Sequence, residues 1–284
     1  VTMTYADIKS CYAEGRYHRG LFHRSVNQTT ASGIAVDLSI LAGGNPPPQY
    51  FPGTPLTSVL MSRSTDGGLN HGENKSPMKK YLHQLMLQTV LATAVPLSVQ
   101  IYDYVAFYTG IGMDAGVQTF ITNAQTTRYT SGLQMMLVEL FPYIGGATCQ
   151  ITYRNDAGVS GKLSPVMTLN TQTTFGTIAT DAPTSAGCHG RLIPLASGDS
   201  GVLYPESIEF FGVGDVGVLA LVLVKPIAAA TIYETTSHAP WDFLLHQGEL
   251  PKIEDNAFLN MVVTPPGTLS GGVIKGCLTT IWST

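Results

Sequence analysis

The pattern of apolar and polar positions changes character several times along the chain. Between Thr4 and Gly15 it is helical: Thr4 can cap, Asp7 stands at the third helical position, Tyr5, Ile8 and Tyr12 share a face, and Gly15 supplies a stop. From Gly33 to Ile40 the residues Ile34, Val36, Leu38 and Ile40 alternate with Ala35, Asp37 and Ser39, which predicts a half-buried strand. A second helical pattern opens at Ser76-Pro77. There Met78, Tyr81, Leu82, Leu85, Met86 and Val90 keep helical spacing until Pro96, and Lys79, Lys80, His83 and Gln84 fall among the polar positions. The spacing predicts a helix over Pro77 to Val95, packed on a sheet by one face.

Beyond Leu97 the period becomes two. Val99 and Ile101 alternate with Gln100 and Tyr102, Val105 and Phe107 extend the run toward Gly110-Ile111-Gly112, and Tyr102, Tyr104 and Tyr108 are placed on one side. Cys149, Ile151 and Tyr153, the turn Asn155-Asp156-Ala157-Gly158, and Val159 to Leu163 predict a hairpin. Six Thr between Thr168 and Thr180 suit exposed strand faces. Arg191 to Leu195, Val202 to Phe211, Val216 to Val224, Ala228 to Glu234, Phe258 to Val263 and Val273 to Trp282 are each strand-length, punctuated by Gly, Pro or Asp. No fixed-period repeat is present, which disfavours solenoids and propellers. The expected class is mainly β: an antiparallel β-sandwich, jelly-roll-like, with one or two short helices. The expected organisation is an N-terminal helix and basic segment (1–32) followed by a β-rich domain (33–284) with a helix near 77–95, divisible near 142–146.

Composition sharpens this. Of 284 residues only 12% are charged, against about a quarter in ordinary soluble domains, while 30 Gly, 17 Pro and 32 Thr occupy the places where Glu, Lys and Arg usually stand. The 44% hydrophobic content is enough for a sizeable core and argues against general disorder. A net charge of −4, with no basic arm at either end, removes the footprint of a phosphate-neutralising protein, so no direct nucleic-acid partner is expected. The longest apolar stretch, Val216 to Val224, is far shorter than the roughly 20 residues of a membrane helix, so no membrane partner is expected either. VTMTYADIKS lacks the basic and apolar regions of a secretory leader, which implies a chain made in the cytoplasm or already processed. Cys11, Cys149, Cys188 and Cys277 form no C-x-x-C pair and are expected as thiols.

Several strings invite chemistry. Gly198-Asp199-Ser200-Gly201 resembles the nucleophile loop of chymotrypsin-like serine proteases, and His71 or His83 followed by Asp103 or Asp114 satisfies that family's chain order. No Ala-Ala-His-Cys-like segment surrounds any His, however, and Val202 replaces the glycine that follows the motif, so a tight turn is the simpler reading. Cys188-His189 would point to opposite faces of a strand. His18, His23, His71, His83, His189, His238 and His246 show no metal-binding spacing, and Asp156, Asp199 and Asp215 sit in Gly-flanked turns without a calcium-loop pattern. No cofactor is expected. Gly110-Ile111-Gly112 lacks the third glycine of a dinucleotide fingerprint.

Two segments point to partners instead. Arg16, His18, Arg19, His23 and Arg24 form a basic patch within nine residues, read chiefly as a turn or a protein contact. Gly43 to Pro55 holds five prolines that cannot donate to a ladder, together with Tyr50 and Phe51 as aromatic anchors, and is expected as an intersubunit arm. The candidate interface is therefore Tyr50, Phe51, Arg16, Arg19 and Arg24. Low charge, abundant Thr and Gly, many short strands, and the apolar punctuation of Val222 to Pro226 (VLVKP), Trp241 to Leu245 (WDFLL) and Leu278 to Trp282 (LTTIW) together resemble structural proteins of tailed-phage virions. The resemblance implies a non-enzymatic subunit of a virion, made in a host cytoplasm, which assembles with itself and with other virion proteins. Within that class it favours a capsid-surface (decoration or cement) protein. The alternatives are a major capsid protein, a glycan- or receptor-binding virion protein, and the serine protease.

Overall fold

Period-two alternation governs this chain more completely than its apolar spacing predicts. The computed structural model describes residues 3–26, 29–41, 43–114, 116–122, 125, 128–143, 147–170, 174–179, 190–212, 216–235 and 239–283. In chain order the elements are α1 (Tyr5–Ala13), β1 (Tyr17–Val26), β2 (Val36–Asp37), β3 (Gly44–Asn45), β4 (Ser58–Leu60), β5 (Lys79–Thr89), β6 (Leu97–Gly112), β7 (Gly116–Thr119), β8 (Gln134–Phe141) and β9 (Thr148–Asn155). There follow β10 (Lys162–Leu163), β11 (Met167–Thr168), β12 (Val202–Phe211), β13 (Val218–Ile232), β14 (Ala239–Asp242), α2 (Phe243–Gln247), β15 (Lys252–Ile253), β16 (Leu259–Thr264) and β17 (Gly272–Ser283).

These strands form three antiparallel sheets. A central sheet runs β2-β16-β6-β13-β8, with β4 added to β6. A second sheet runs β14-β5-β17-β1-β3 with β15 on β5, and a third runs β10-β9-β12-β7 with β11 on β9. Both smaller sheets pack on the same face of the central one. Leu97, Val99 and Ile101 of β6 join a core with Phe22, Leu82, Leu85, Ile274 and Ile281 of the second sheet. Val105, Ala106 and Tyr108 join another core with Cys149, Ile151, Val202 and Ile208 of the third. The far face of the central sheet, Tyr102, Tyr104, Phe107, Val222 and Val262, is covered by loop residues Ala35, Ile40, Phe51 and Ile178.

A β-bulge falls where these two cores meet. Leu223 pairs with Ala106 and Val224 with Tyr104, so Val105 is an extra residue that reverses the alternation of β6 as far as Tyr108, beyond which a second irregularity, with Leu221 on Tyr108 and Leu219 on Ile111, reverses it again. Tyr108 consequently lies in a different core from Tyr102 and Tyr104, against the shared side that simple alternation predicts. Asp103 is buried between Ile101 and Val105, where the two cores meet. Its carboxylate accepts Arg128 Nη2 (3.0 Å), Tyr129 Oη (2.9 Å) and the Phe258 amide (2.8 Å), with Arg128 Nε 2.9 Å away. Arg128 also donates to the carbonyls of Met61, Asn256 and Tyr104, tying three segments to one ion pair.

The helix expected over Pro77 to Val95 is a strand. β5 pairs with β17 from Lys79↔Ser283 to Thr89↔Ile274. A bulge explains the misleading spacing: Thr280 pairs with Leu82 and Thr279 with Gln84, so His83 is the extra residue. Leu82 before it and Leu85 after it both face the core, which reproduces the i, i+3 interval of a helix. The two short helices are instead α1, capped as expected by a Thr4–Asp7 capping box and followed by Gly15 at φ +69°, and α2, capped by Asp242.

Other expectations are adjusted by burial. Gly33 to Ile40 yields only the two-residue β2, and Ala35 to Leu41 are all buried, because Asp37 and Ser39 satisfy one another inside rather than facing water. Arg191 to Leu195 forms no strand; Ile193 makes one bond to the Met135 carbonyl. Val216 to Val224 and Ala228 to Glu234 are one strand, β13, running through Pro226. Proline is tolerated there because the ladder to β8 ends at Val224 and the ladder to β6 shifts register between Pro226 and Ala228. The expected hairpin is present, with β10 returning on β9. β1 pairs along its length with β17, so residues 17–26 are built into a sheet with the C-terminal strand. Residues 144–146 lie outside the described residues.

The Asp103–Arg128 pair supports a specific expectation. Arg128→Met leaves a buried carboxylate without its cation and should destabilise the fold by about 3–5 kcal/mol, whereas Asp103→Asn combined with Arg128→Met should cost less than Arg128→Met alone. Denaturant titration of the two single variants and the double variant measures this, and equal losses for Arg128→Met and the double variant would refute it.

Candidate functional site

Alternation along β1 takes the basic patch apart. Tyr17, Arg19, Leu21 and His23 are exposed while Gly20, Phe22 and Arg24 are buried. Arg24 is 1% exposed and donates to the carbonyls of Pro46 and Gly67; burial lowers its pKa to about 10, which leaves it charged at neutral pH. It is a structural cation and is withdrawn from the candidate interface. Arg16 is partly covered, bonded to Glu14 and to the Trp282 carbonyl. Arg19 stays exposed, its guanidinium 5.5 Å from the Tyr17 ring centre.

The expected arm folds onto its own subunit. Gly44 and Asn45 pair with β1, Gln49 donates its amide to the Ser39 carbonyl, and Phe51 is 1% exposed against Phe107. Phe51 is thus a core residue and not a docking anchor. Tyr50 remains half exposed beside Phe175.

The serine loop is a turn clamped from within. Ser200 Oγ donates to Asp156 (2.9 Å). Asp199 accepts Tyr153 Oη (2.7 Å) and Asn155 Nδ2 (2.9 Å), bonds that hold its carboxyl below the usual range. The histidines are engaged elsewhere. His71 is buried between the Ala257 carbonyl and the Lys80 ammonium, and burial lowers its pKa to about 4. His83 bridges Tyr12 Oη (2.8 Å) and Asp242 (3.3 Å). Asp103 is committed to Arg128. Cys188, His189, His238 and Asp215 lie outside the described residues. Among the described residues no three His, Cys, Asp or Glu side chains converge as metal ligands.

Sequence reasoning missed the Tyr12–His83–Asp242 relay, which borders a cavity of about 630 Å³ between α1 and the sheet, with Lys9 and Arg19 among its lining. Burial raises the Tyr12 pKa and lowers that of His83, and the relay fastens α1 to β5 and β14. Its members are 71 and 159 residues apart, and no local pattern connects them.

The features free to meet a partner are the outer faces of the two smaller sheets. On the second sheet Leu21, Cys277 and Met86 form one cross-strand row, and His23, Lys275 and Gln88 the next. Leu21 is 72% exposed, and with Phe22, Met86, Val273 and Cys277 it lines a largely apolar groove of about 590 Å³. Gly276 lies within that groove; a Cβ there would fall 1.9 Å from the Met86 carbonyl oxygen, so glycine is required where β5 and β17 approach. On the third sheet Val117, Glu209 and Gln150 form a row beside Phe211 and Thr148, with Val117 61% and Phe211 38% exposed.

No protein-family model matches the chain, and no curated protein matches it. Among solved structures, a mutant VP2 protein of infectious bursal disease virus in derived T=1 particles is 9% identical, with a TM-score of 0.19 over 93% of this chain and 77% of that one. The Gt strain of the same virus gives 8% identity and a TM-score of 0.19 over 94% and 80%. Likenesses at this level carry no argument for fold or function, and neither structure comes from a tailed phage.

One buried carboxyl outside these surfaces has a measurable consequence. Glu139 is fully buried, its Oε2 accepting Thr177 Oγ1 (2.6 Å) while Oε1 has no partner among the described residues, and desolvation raises its pKa from 4.5 to about 7. The folded state therefore binds a proton that the unfolded state releases, so Glu139's contribution to stability is full below about pH 4.5 and is lost as pH rises through about 7. Glu139→Gln should show a melting-temperature advantage over the parent that grows between pH 5 and pH 8, by ~2–4 °C for each kcal/mol. Calorimetry at the two pH values checks this, and an advantage that does not change with pH would be the contrary result.

Proposed function

We propose that this chain is a non-enzymatic structural subunit of a virion that assembles with copies of itself, placed at the capsid surface rather than forming the shell. The observation that carries the reading is the part of the outer face of the β5-β17-β1 sheet around Leu21, away from the end that α1 borders. It exposes Leu21 and an apolar-lined groove in the middle of a regular, hydrogen-bonded surface. Contiguous apolar surface of this kind marks interaction sites, and the low charge of the whole chain keeps the cost of desolvating such faces small.

Other features support the proposal. Ser200 is paired with a carboxylate and not with an imidazole, which disfavours the protease alternative. Among the described residues no α-helix exceeds the nine residues of α1, whereas major shell subunits of tailed phages, whose structural proteins the sequence resembles, typically present a long spine helix, which disfavours the major-capsid alternative. The sugar-stacking alternative is disfavoured because both Trp rings already carry partners. Trp241 stacks on His246 at 4.0 Å between ring centres, and Lys75 Nζ lies 4.2 Å from the Trp282 ring centre.

Native mass measurement across a concentration series tests the reading. The parent should populate closed oligomers, and Leu21→Asp should shift them toward monomer with little change in melting temperature, since Leu21 is already in water in the isolated subunit. A parent that is monomeric at every concentration would overturn the proposal. The internal role of the proline-rich segment separates from assembly in the same assay: Phe51→Ala should lower stability by about 3–5 kcal/mol, whereas Tyr50→Ser should leave it within about 0.5 kcal/mol.

A further inference from the structure

We infer that copies of this chain associate head to tail, the outer face of the β7-β12-β9 sheet of one subunit seating on the groove in the β1-β17-β5 sheet of the next. In this contact Phe211 enters the groove and Glu209 pairs with Lys275. The inference rests on the self-assembly proposed above and adds to it the surfaces, the register and the symmetry class.

Lys275 follows the buried Ile274 on β17 and is itself exposed, so it points outward, and its cross-strand neighbours are His23 and Gln88. Among the described residues it has no anionic partner. Arg19 is exposed on the same face of β1, without an ion pair among the described residues. This face is therefore cationic around an apolar centre. Glu209 stands on β12 between the buried Ile208 and Phe210, points outward between Val117 and Gln150, and among the described residues has no cationic partner. The second face is therefore anionic beside an apolar flank.

Geometry matches the two sets. Side chains at i and i+2 of a strand share a face, about 6.6–6.8 Å apart. Glu209 and Phe211 are related in this way, as are Lys275 and Cys277, and Cys277 lines the groove while Lys275 stands at its edge. An aromatic ring seated over Cys277, Leu21 and Met86 thus places the carboxylate two residues away at the level of the ammonium.

A two-fold symmetric contact is disfavoured on the same grounds. Two copies of the first face would oppose Lys275 and Arg19 to one another, and like charges brought together in an interface repel. Using two different faces gives a heterologous contact, which closes as a ring or continues into a larger array. Either outcome suits a subunit that covers a surface.

Charge exchange tests the contact on the intact chain. Lys275→Glu and Glu209→Lys alter exposed or half-exposed positions, so folding should be preserved, and circular dichroism with melting temperature verifies this. Each single variant should weaken association by about tenfold or more, and mixing the two single variants, or combining both changes in one chain, should restore it to near the parental level. Phe211→Ser should weaken association without a charge effect. If the parent assembles and the single charge variants assemble equally well, this contact is wrong and the self-assembly proposal stands. If the singles fail and neither mixing nor the double variant restores assembly, the pairing is also wrong. A parent that stops at a dimer would refute the head-to-tail arrangement, and one monomeric throughout would refute both inferences.

Discussion

The buried Asp103–Arg128 ion pair holds together the place where two cores of the molecule meet. β6 and β13 are 16 and 15 residues long, and the same side of the central sheet supplies the floor of both cores. At the boundary the bulge at Val105 shifts which residues of β6 face that floor, from Ile101 before it to Ala106 and Tyr108 after it, and Asp103 occupies the point of change. A carboxylate at that depth is costly: desolvation raises its pKa to about 6 even with Arg128 beside it. Arg128, Tyr129 and the Phe258 amide offset the cost, and in doing so they hold in place the loops that border β4, β16 and β6.

The same device recurs where loops cover the far side of the central sheet. Asp37 accepts Ser39, Tyr104 and Asn260, so a buried acid fixes residues 35–41 against the sheet. Glu139 holds Thr177 beside β8; the Glu139 amide donates to the Thr177 carbonyl, and the amides of Gly176 and Ala179 donate back to the carbonyls of Glu139 and Leu137. Irregular chain thus takes the place of additional strands. With few charges in the sequence, a notable share of them is spent on internal fastening: Arg24, Asp37, Lys80, Asp103 and Glu139 are all fully or almost fully buried.

That allocation bears on the proposed function. Charge placed inside leaves outer sheet faces with exposed apolar residues such as Leu21, Val117 and Phe211 beside isolated ions such as Lys275 and Glu209. Open outer faces on both small sheets cost the monomer little, because each sheet's inner face already supplies its stability. On the proposed reading their gain would come from a neighbour, as for a subunit whose working state is an assembly.

The chain's local patterns determined a great deal. The capping box at Thr4 and Asp7 set α1, the long alternations set β6, β12, β16 and β17, and the scarcity of charge set a mainly β fold with apolar surfaces. These signals are legible because a cap or a strand depends on residues adjacent in sequence. The bulges at His83 and Val105 were not legible, since an inserted residue is defined by the partner strand it skips; in β5 the insertion imitated a helix. Nor could the sequence distinguish Tyr50 from Phe51, or Arg24 from Arg19. Neighbours on an extended chain face opposite ways, and which way is inside depends on what packs above them. The tertiary structure alone decided that Arg128 meets Asp103, that Tyr12 meets His83 and Asp242, and that Ser200 meets Asp156 in place of a histidine. Each of these contacts joins residues separated by tens to hundreds of positions, and their proximity exists only after the three sheets have closed.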